Sequence, residues 1–137
     1  MIEFQNIECD LKINEEDFSF WLNEIIIEEN NSLGEIVYIF CDDDYLLTKN
    51  IKYLNHITLT DVITFDYSKD KLISGDILIS VDRVHKNANI FAVHFLNELQ
   101  RVMAHGLLHL LGYNDKTEKE EKEIREKEDY YLEKISI

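Results

Sequence analysis

Apolar residues fall into two rhythms along this chain. Ile2, Phe4 and Ile7 alternate weakly with polar neighbours and predict an opening strand. From Asn14 the period lengthens. Phe18, Trp21, Leu22, Ile25 and Ile26 occupy i, i+3, i+4, i+7 and i+8, one face of a helix. Asn14 is placed to cap it, acidic residues crowd its first turn, and Gly34 lies just past its expected end. Ile36–Cys41 is β-branched and aromatic and predicts a buried strand. Asp42-Asp43-Asp44 then marks the start of a second helix carrying Leu46, Leu47, Ile51 and Leu54. Such a triplet can bind a hard cation, but before a periodic apolar run it more commonly opens a helix.

Residues 61–65 and 76–81 predict two further strands, and the polar stretch between them suits an antiparallel pairing. Asp82 is a candidate cap for a short helical piece containing Arg83 and Lys86. A long helix is expected from about Phe91, burying Phe95, Leu99, Val102, Met103 and Leu110 and ending at Gly112. Thr117 and Glu120 form a capping box that opens a last helix, whose apolar edge is Ile124, Tyr131, Leu132 and Ile135. The rest of that helix reads as a solvated, charged face. The order β-α-β-α-β-β-α-α predicts an α+β fold: a small mixed sheet with one antiparallel edge, covered by helices.

Composition narrows the function classes. At 137 residues and 45% apolar, the chain is expected to be one domain, residues 1–137, with a real core rather than a disordered acidic segment. The longest apolar run, Ile36–Cys41, is far short of the ~20 residues a membrane helix needs. The N-terminus lacks the basic-then-apolar pattern of a secretion signal, and Cys9 and Cys41 read as small core residues. A reducing cytosol and no membrane are expected. The net charge of -14 argues against a nucleic-acid partner until it is divided by segment. Residues 1–45 hold 13 acids and one base, whereas residues 46–113 hold 6 acids and 7 bases. Any polyanion-binding surface belongs to that middle half, since salt screens beyond ~8 Å.

The same half carries the candidate chemistry. His105 and His109 stand at i and i+4, one above the other on a helix face, so both imidazoles can converge on one cation. Gly112 follows three residues later and can reverse the chain; Asp115 follows after three more with a carboxylate. Two imidazoles and a carboxylate leave a tetrahedral zinc one open position, the catalytic rather than the structural arrangement. Ordinary helix histidines and a plain C-cap are the alternative. The spacing follows the zincin pattern H-E-x-x-H-x-x-G-x-x-H except that Gly106 replaces the general-base Glu and Asp115 the third His. Without that Glu, peptide hydrolysis is disfavoured. Glu98, two turns before His105, is a candidate to accept a ligand imidazole's proton or to act as a distant base, with an ion pair to Arg101 or plain exposure as the alternative. His56, His85 and His94 have no partner at ligand spacing and read as surface or loop.

The stretch from His105 to Tyr113, H-G-L-L-H-L-L-G-Y, resembles the signature of the YbeY family, bacterial metal-dependent endoribonucleases. L-T-D-V-I-T-F at 59–65 and G-D-I-L-I-S at 75–80 resemble two further family segments. The resemblance implies a mixed four-stranded sheet with a zincin-like metal helix, and one divalent metal, zinc in the first instance, on His105, His109 and Asp115. It also implies a cytoplasmic, single-strand-specific endoribonuclease acting in late-stage 16S ribosomal RNA maturation and ribosome quality control, with ribosomal RNA, ribosomal particles or a ribosomal protein as partners. Two departures stand out. The family's closing D-H is Asn114-Asp115 here, and an arginine of the family pattern is Leu54. Lys49, Lys52, Arg83, Lys86 and Arg101 are the candidate RNA contacts, and no general base is evident. The alternative function is a ribosome-assembly binding protein whose metal is mainly structural.

Overall fold

The computed structural model describes residues 1–54 and 60–135; His56 and Leu59 lie outside the described residues. The elements are β1 (Ile2–Ile7), α1 (Glu15–Glu28), β2 (Ser32–Cys41), α2 (Asp43–Leu54), β3 (Val62–Asp66), β4 (Leu72–Ser80), α3 (Val81–Ile90), α4 (Phe95–Leu110) and α5 (Glu118–Leu132). Among the described residues the strands form one sheet in the order β1-β2-β4-β3. β1, β2 and β4 run parallel, and β3 pairs antiparallel with β4 at the edge, Thr64 opposite Ile77. The mixed sheet with one antiparallel edge is the one the hydrophobic pattern implies.

Strand alternation sends the two faces to different helices. Ile36, Tyr38 and Phe40 of β2, with Ile77 and Ile79 of β4, face the main core. There they meet Phe18, Trp21, Leu22, Ile25 and Ile26 of α1, the predicted apolar stripe, and Leu99, Met103 and Leu107 of α4. Cys41, Leu78 and Ile63 face the other way and bury Leu46 of α2. Two long tethers hold the layers together: Tyr38 donates its hydroxyl to the Met103 carbonyl at 2.9 Å, and Trp21 Nε1 donates to the Tyr131 carbonyl at 2.9 Å.

Several local expectations are corrected. α1 ends at Glu28, and Gly34 is not its terminator. Asn30, with φ of 63°, reverses the chain, and Asn31 donates its N–H to the Ile26 carbonyl, while Gly34 lies inside β2. On α2, Ile51 is exposed and Asn50 is buried in its place. The cap of α3 is Ser80, whose hydroxyl accepts from the Arg83 N–H, because β4 runs straight into the helix. Asp82 instead accepts from the backbone N–H of Asp43 and so serves the start of α2. Asp43 in turn takes the Ser80 hydroxyl at 2.6 Å and Arg83 Nε at 3.3 Å, which makes the acidic triplet a helix start clamped to α3. The long helix begins at Phe95 rather than Phe91, since Ala92 adopts a φ of 55° and breaks the run after a full α3. This turn lets α3 and α4 fold back against each other and leaves Ile90 and Phe91 exposed.

Candidate metal centre

Helix α4 lies on the sheet with little to spare. A Cβ at Gly106 would stand 2.7 Å from Ile77 Cγ2 and 3.3 Å from Val62 Cγ2. Position 106, where the zincin pattern has its Glu, therefore points into the sheet and not toward the histidines. His105 and His109 emerge from the same helix on its partly exposed side.

The helix then stops in a Schellman turn. Gly112, with φ of 102°, donates its N–H to the His109 carbonyl, and Tyr113 donates to the Leu108 carbonyl at 3.0 Å. The reversal brings Asp115 back over the histidines. Asp115 Oδ2 lies 3.3 Å from His105 Nε2 and 3.4 Å from His109 Nε2, and the two Nε2 atoms are 2.9 Å apart. Ligands ~2.0–2.1 Å from a tetrahedral zinc would stand about 3.3 Å apart, so this trio needs only small shifts to enclose one. Among the described residues it is the His/Cys/Asp/Glu group able to hold a metal ion.

The outer nitrogens decide what the inner ones offer. His109 Nδ1 is 2.9 Å from the Tyr113 carbonyl, which can only accept, so Nδ1 carries the proton. His105 Nδ1 is 2.7 Å from Glu128 Oε2 on α5. With its proton on Nδ1, each ring can present an Nε2 lone pair toward the other and toward the Asp115 carboxylate. Three electron-rich atoms converging on one point are stabilised by a cation. The donor set fits a divalent metal.

Beside His105 and Asp115 a cleft of about 660 Å³ is lined by Asp61, Asn87, Phe91, Glu98, Arg101 and Arg125, among others. Burial pushes the Asp61 carboxyl above its ordinary range, against the opposing pull of His105. Burial does the same to Glu98, helped by the charge of Asp61 and opposed by Arg101 and Arg125. For His105, burial disfavours the imidazolium, but the hydrogen bond and charge of Glu128, then Asp115 and Asp61, outweigh it and raise its pKa. The site is thus built to attract positive charge.

A family model for endoribonuclease YbeY matches residues 3–136. The chain belongs to the YbeY endoribonuclease family. It is 55% identical over 133 residues to "Endoribonuclease YbeY" of Flavobacterium psychrophilum, covering 96% of this chain and 94% of the relative. The Flavobacterium johnsoniae relative of the same name is 51% identical over 138 residues, covering 100% and 96%. A Thermotoga maritima protein solved in solution superposes with a TM-score of 0.71 at 29% identity, covering 98% of this chain and 89% of its own.

Against this family background the remaining candidates separate. His105, His109 and Asp115 come together; Glu98 lines the same cleft but is buried, and the partner of His105 Nδ1 is Glu128. Arg101 is bound by Glu128 and Asp129 at 2.8 and 2.7 Å. Arg83 and Lys86 both lean on Asp43, at 3.3 and 3.7 Å. Lys49 and Lys52 sit apart on α2, over the rings of Tyr45 and Tyr53. His85 is exposed on α3 and stacks on Phe95; His94 is the residue before α4 and makes no side-chain cap. Cys9 and Cys41 are free, and burial raises the Cys41 thiol to about 12. Glu128 is the residue that sequence reading missed. A signal existed: Ile124, Glu128 and Tyr131 share one stripe, so an acid interrupts the buried face of a surface helix. No helix of the described residues is long and apolar enough to cross a membrane.

Proposed function

We propose that this protein is a metal-dependent endoribonuclease that cleaves single-stranded ribosomal RNA in late-stage 16S maturation and ribosome quality control, in the cytoplasm. One observation carries the reading: in a chain of the YbeY family, two histidine Nε2 atoms and an Asp115 oxygen converge with both Nδ1 atoms already engaged. His105, His109 and Asp115 would hold one divalent metal, and an N₂O donor set suits zinc. Such an ion, when bound, polarises a phosphoryl oxygen and acidifies a water or hydroxyl beside it.

The chain's own residues supply the rest. The Tyr113 carbonyl and the Glu128 carboxylate hold the rings. Asp61 and Glu98, whose carboxyls burial pushes above their ordinary range, line the cleft and are the groups we assign to proton exchange with substrate. Lys49 and Lys52, with the exposed ring of Tyr53 between them, are the cations we assign to RNA phosphates, the ring offering a stacking face for a base. Arg83, Lys86 and Arg101 are already matched to carboxylates and contribute less. With a net charge of -14, the protein binds naked RNA weakly, and a ribosomal protein or particle helps to deliver it.

The test is direct. His105→Ala and Asp115→Ala should lose both stoichiometric metal and cleavage of single-stranded RNA. Cleavage that survives in a metal-free variant overturns the reading. Leu54, where the family pattern has arginine, favours a second reading, a ribosome-assembly binding protein with a mainly structural metal. A large loss of thermal stability on metal removal, with no turnover by the loaded protein, would select it.

A further inference from the structure

We infer that Glu128 is a positioning residue of the metal centre. It holds His105 in the tautomer and ring orientation that aim Nε2 at the cation, and Arg101 holds Glu128. The inference rests on the assignment of His105, His109 and Asp115 as a metal site.

Glu128 lies on α5, 23 positions beyond His105, yet its Oε2 is 2.7 Å from His105 Nδ1. Its side chain is only 5% exposed, set in the apolar stripe between Ile124 and Tyr131. A carboxylate tolerates such a place only with its oxygens occupied. Both are: Oε2 meets His105, and Oε1 accepts from Arg101 Nη1 at 2.8 Å. Arg101 places its other arm on Asp129 at 2.7 Å, so the guanidinium is fixed from two sides. Arg101 and His105 are four residues apart on α4, and Glu128 bridges them from α5.

Two features separate this from a plain staple between helices. Arg101 and Asp129 already join α4 to α5 without Glu128. The second carboxylate oxygen is directed at the one ring atom whose proton decides which nitrogen of His105 is free to coordinate. A carboxylate in that position orients the ring and makes the ligand nitrogen more electron-donating.

The experiment compares the wild-type protein with Glu128→Ala and Glu128→Gln. Zinc affinity is read by competition with a chromophoric chelator, and the His105 tautomer by long-range ¹⁵N–¹H correlation in the chelator-treated proteins at a pH where the rings are neutral. We expect Glu128→Ala to weaken zinc binding about 10- to 100-fold and to move the His105 proton away from Nδ1. Glu128→Gln, which keeps an acceptor oxygen, should lose less and retain the tautomer. If Glu128→Ala does not fold, the nearly isosteric Gln variant still decides, through its intermediate affinity. Wild-type zinc uptake with the same affinity and tautomer in the folded variants overturns this inference alone. A wild-type protein that takes up no zinc overturns the metal assignment, and this inference with it.

Discussion

His105 and His109 face each other through their Nε2 atoms at 2.9 Å, while each ring spends its Nδ1 on a fixed acceptor, Glu128 for one and the Tyr113 carbonyl for the other. With both protons on Nδ1, the two Nε2 lone pairs would face each other and the Asp115 oxygen. A cation among them would be attracted to all three and should stabilise the folded chain. At a free zinc concentration about 100-fold above Kd, linkage predicts about 2.7 kcal/mol. Thermal melts in zinc-buffered solution should show Tm rising with zinc in the wild type and staying flat in His105→Ala.

Gly106 is required by close approach. A methyl group there would meet Ile77 Cγ2 at 2.7 Å, inside the layer where α4 presses on the sheet. Gly106→Ala should cost about 1–3 kcal/mol, as overpacking does, read from urea denaturation. Gly106→Glu, which restores the zincin pattern in sequence, should destabilise the fold further and yield no peptidase, because position 106 does not face the metal centre.

Glu29 at the end of α1 accepts from the Tyr113 hydroxyl at 2.6 Å, from Lys127 Nζ at 3.0 Å and from the Tyr131 hydroxyl. Burial alone would raise its pKa, but these donors outweigh burial and hold it below the ordinary 4.5. A depressed folded-state pKa contributes stability above the unfolded value and loses it as pH falls through the folded one. Glu29→Gln should therefore cost about 1.5–3 kcal/mol at neutral pH, the worth of hydrogen bonds to a charged group. The gap between the two proteins should close as pH drops below 4.5, which paired thermal melts across that range will read.

Lys49 and Lys52 lie over the rings of Tyr45 and Tyr53 on α2. Replacing both with Ala should raise KM for single-stranded RNA and leave kcat unchanged. Removing a lysine that meets one phosphate should also flatten the dependence of log binding on log salt by about 0.7. An unchanged salt slope would place the RNA path elsewhere on the surface.

Much of this architecture is legible in the chain. The alternation of β2 and the i, i+3, i+4 stripe of α1 announce their own burial, because strand and helix periods are local properties of the backbone. The capping box at Thr117 and Glu120 is present as predicted for the same reason. Boundaries are less legible where a residue other than glycine takes the left-handed turn. Asn30 turns the chain before Gly34, and Ala92 delays the start of the long helix from Phe91 to Phe95, boundaries that the apolar pattern alone does not set. The acidic triplet is readable as a helix start, but its clamp on Ser80 and Arg83 is not, since the two segments lie nearly 40 residues apart.

The candidate metal site divides along the same line. One turn of helix brings His105 over His109, and one left-handed residue, Gly112, turns the chain back toward Asp115, so local chain geometry is enough to make those three converge. Their surroundings come from packing between distant segments. The docking of α5 on α4 brings Glu128 to His105 and commits Arg101, and the strand edge at β3 brings Asp61 to the cleft. These contacts join residues separated by 23 to 44 positions, a distance over which no backbone periodicity acts. They exist because apolar faces must be buried against one another, and that burial places the few polar groups carried along with them.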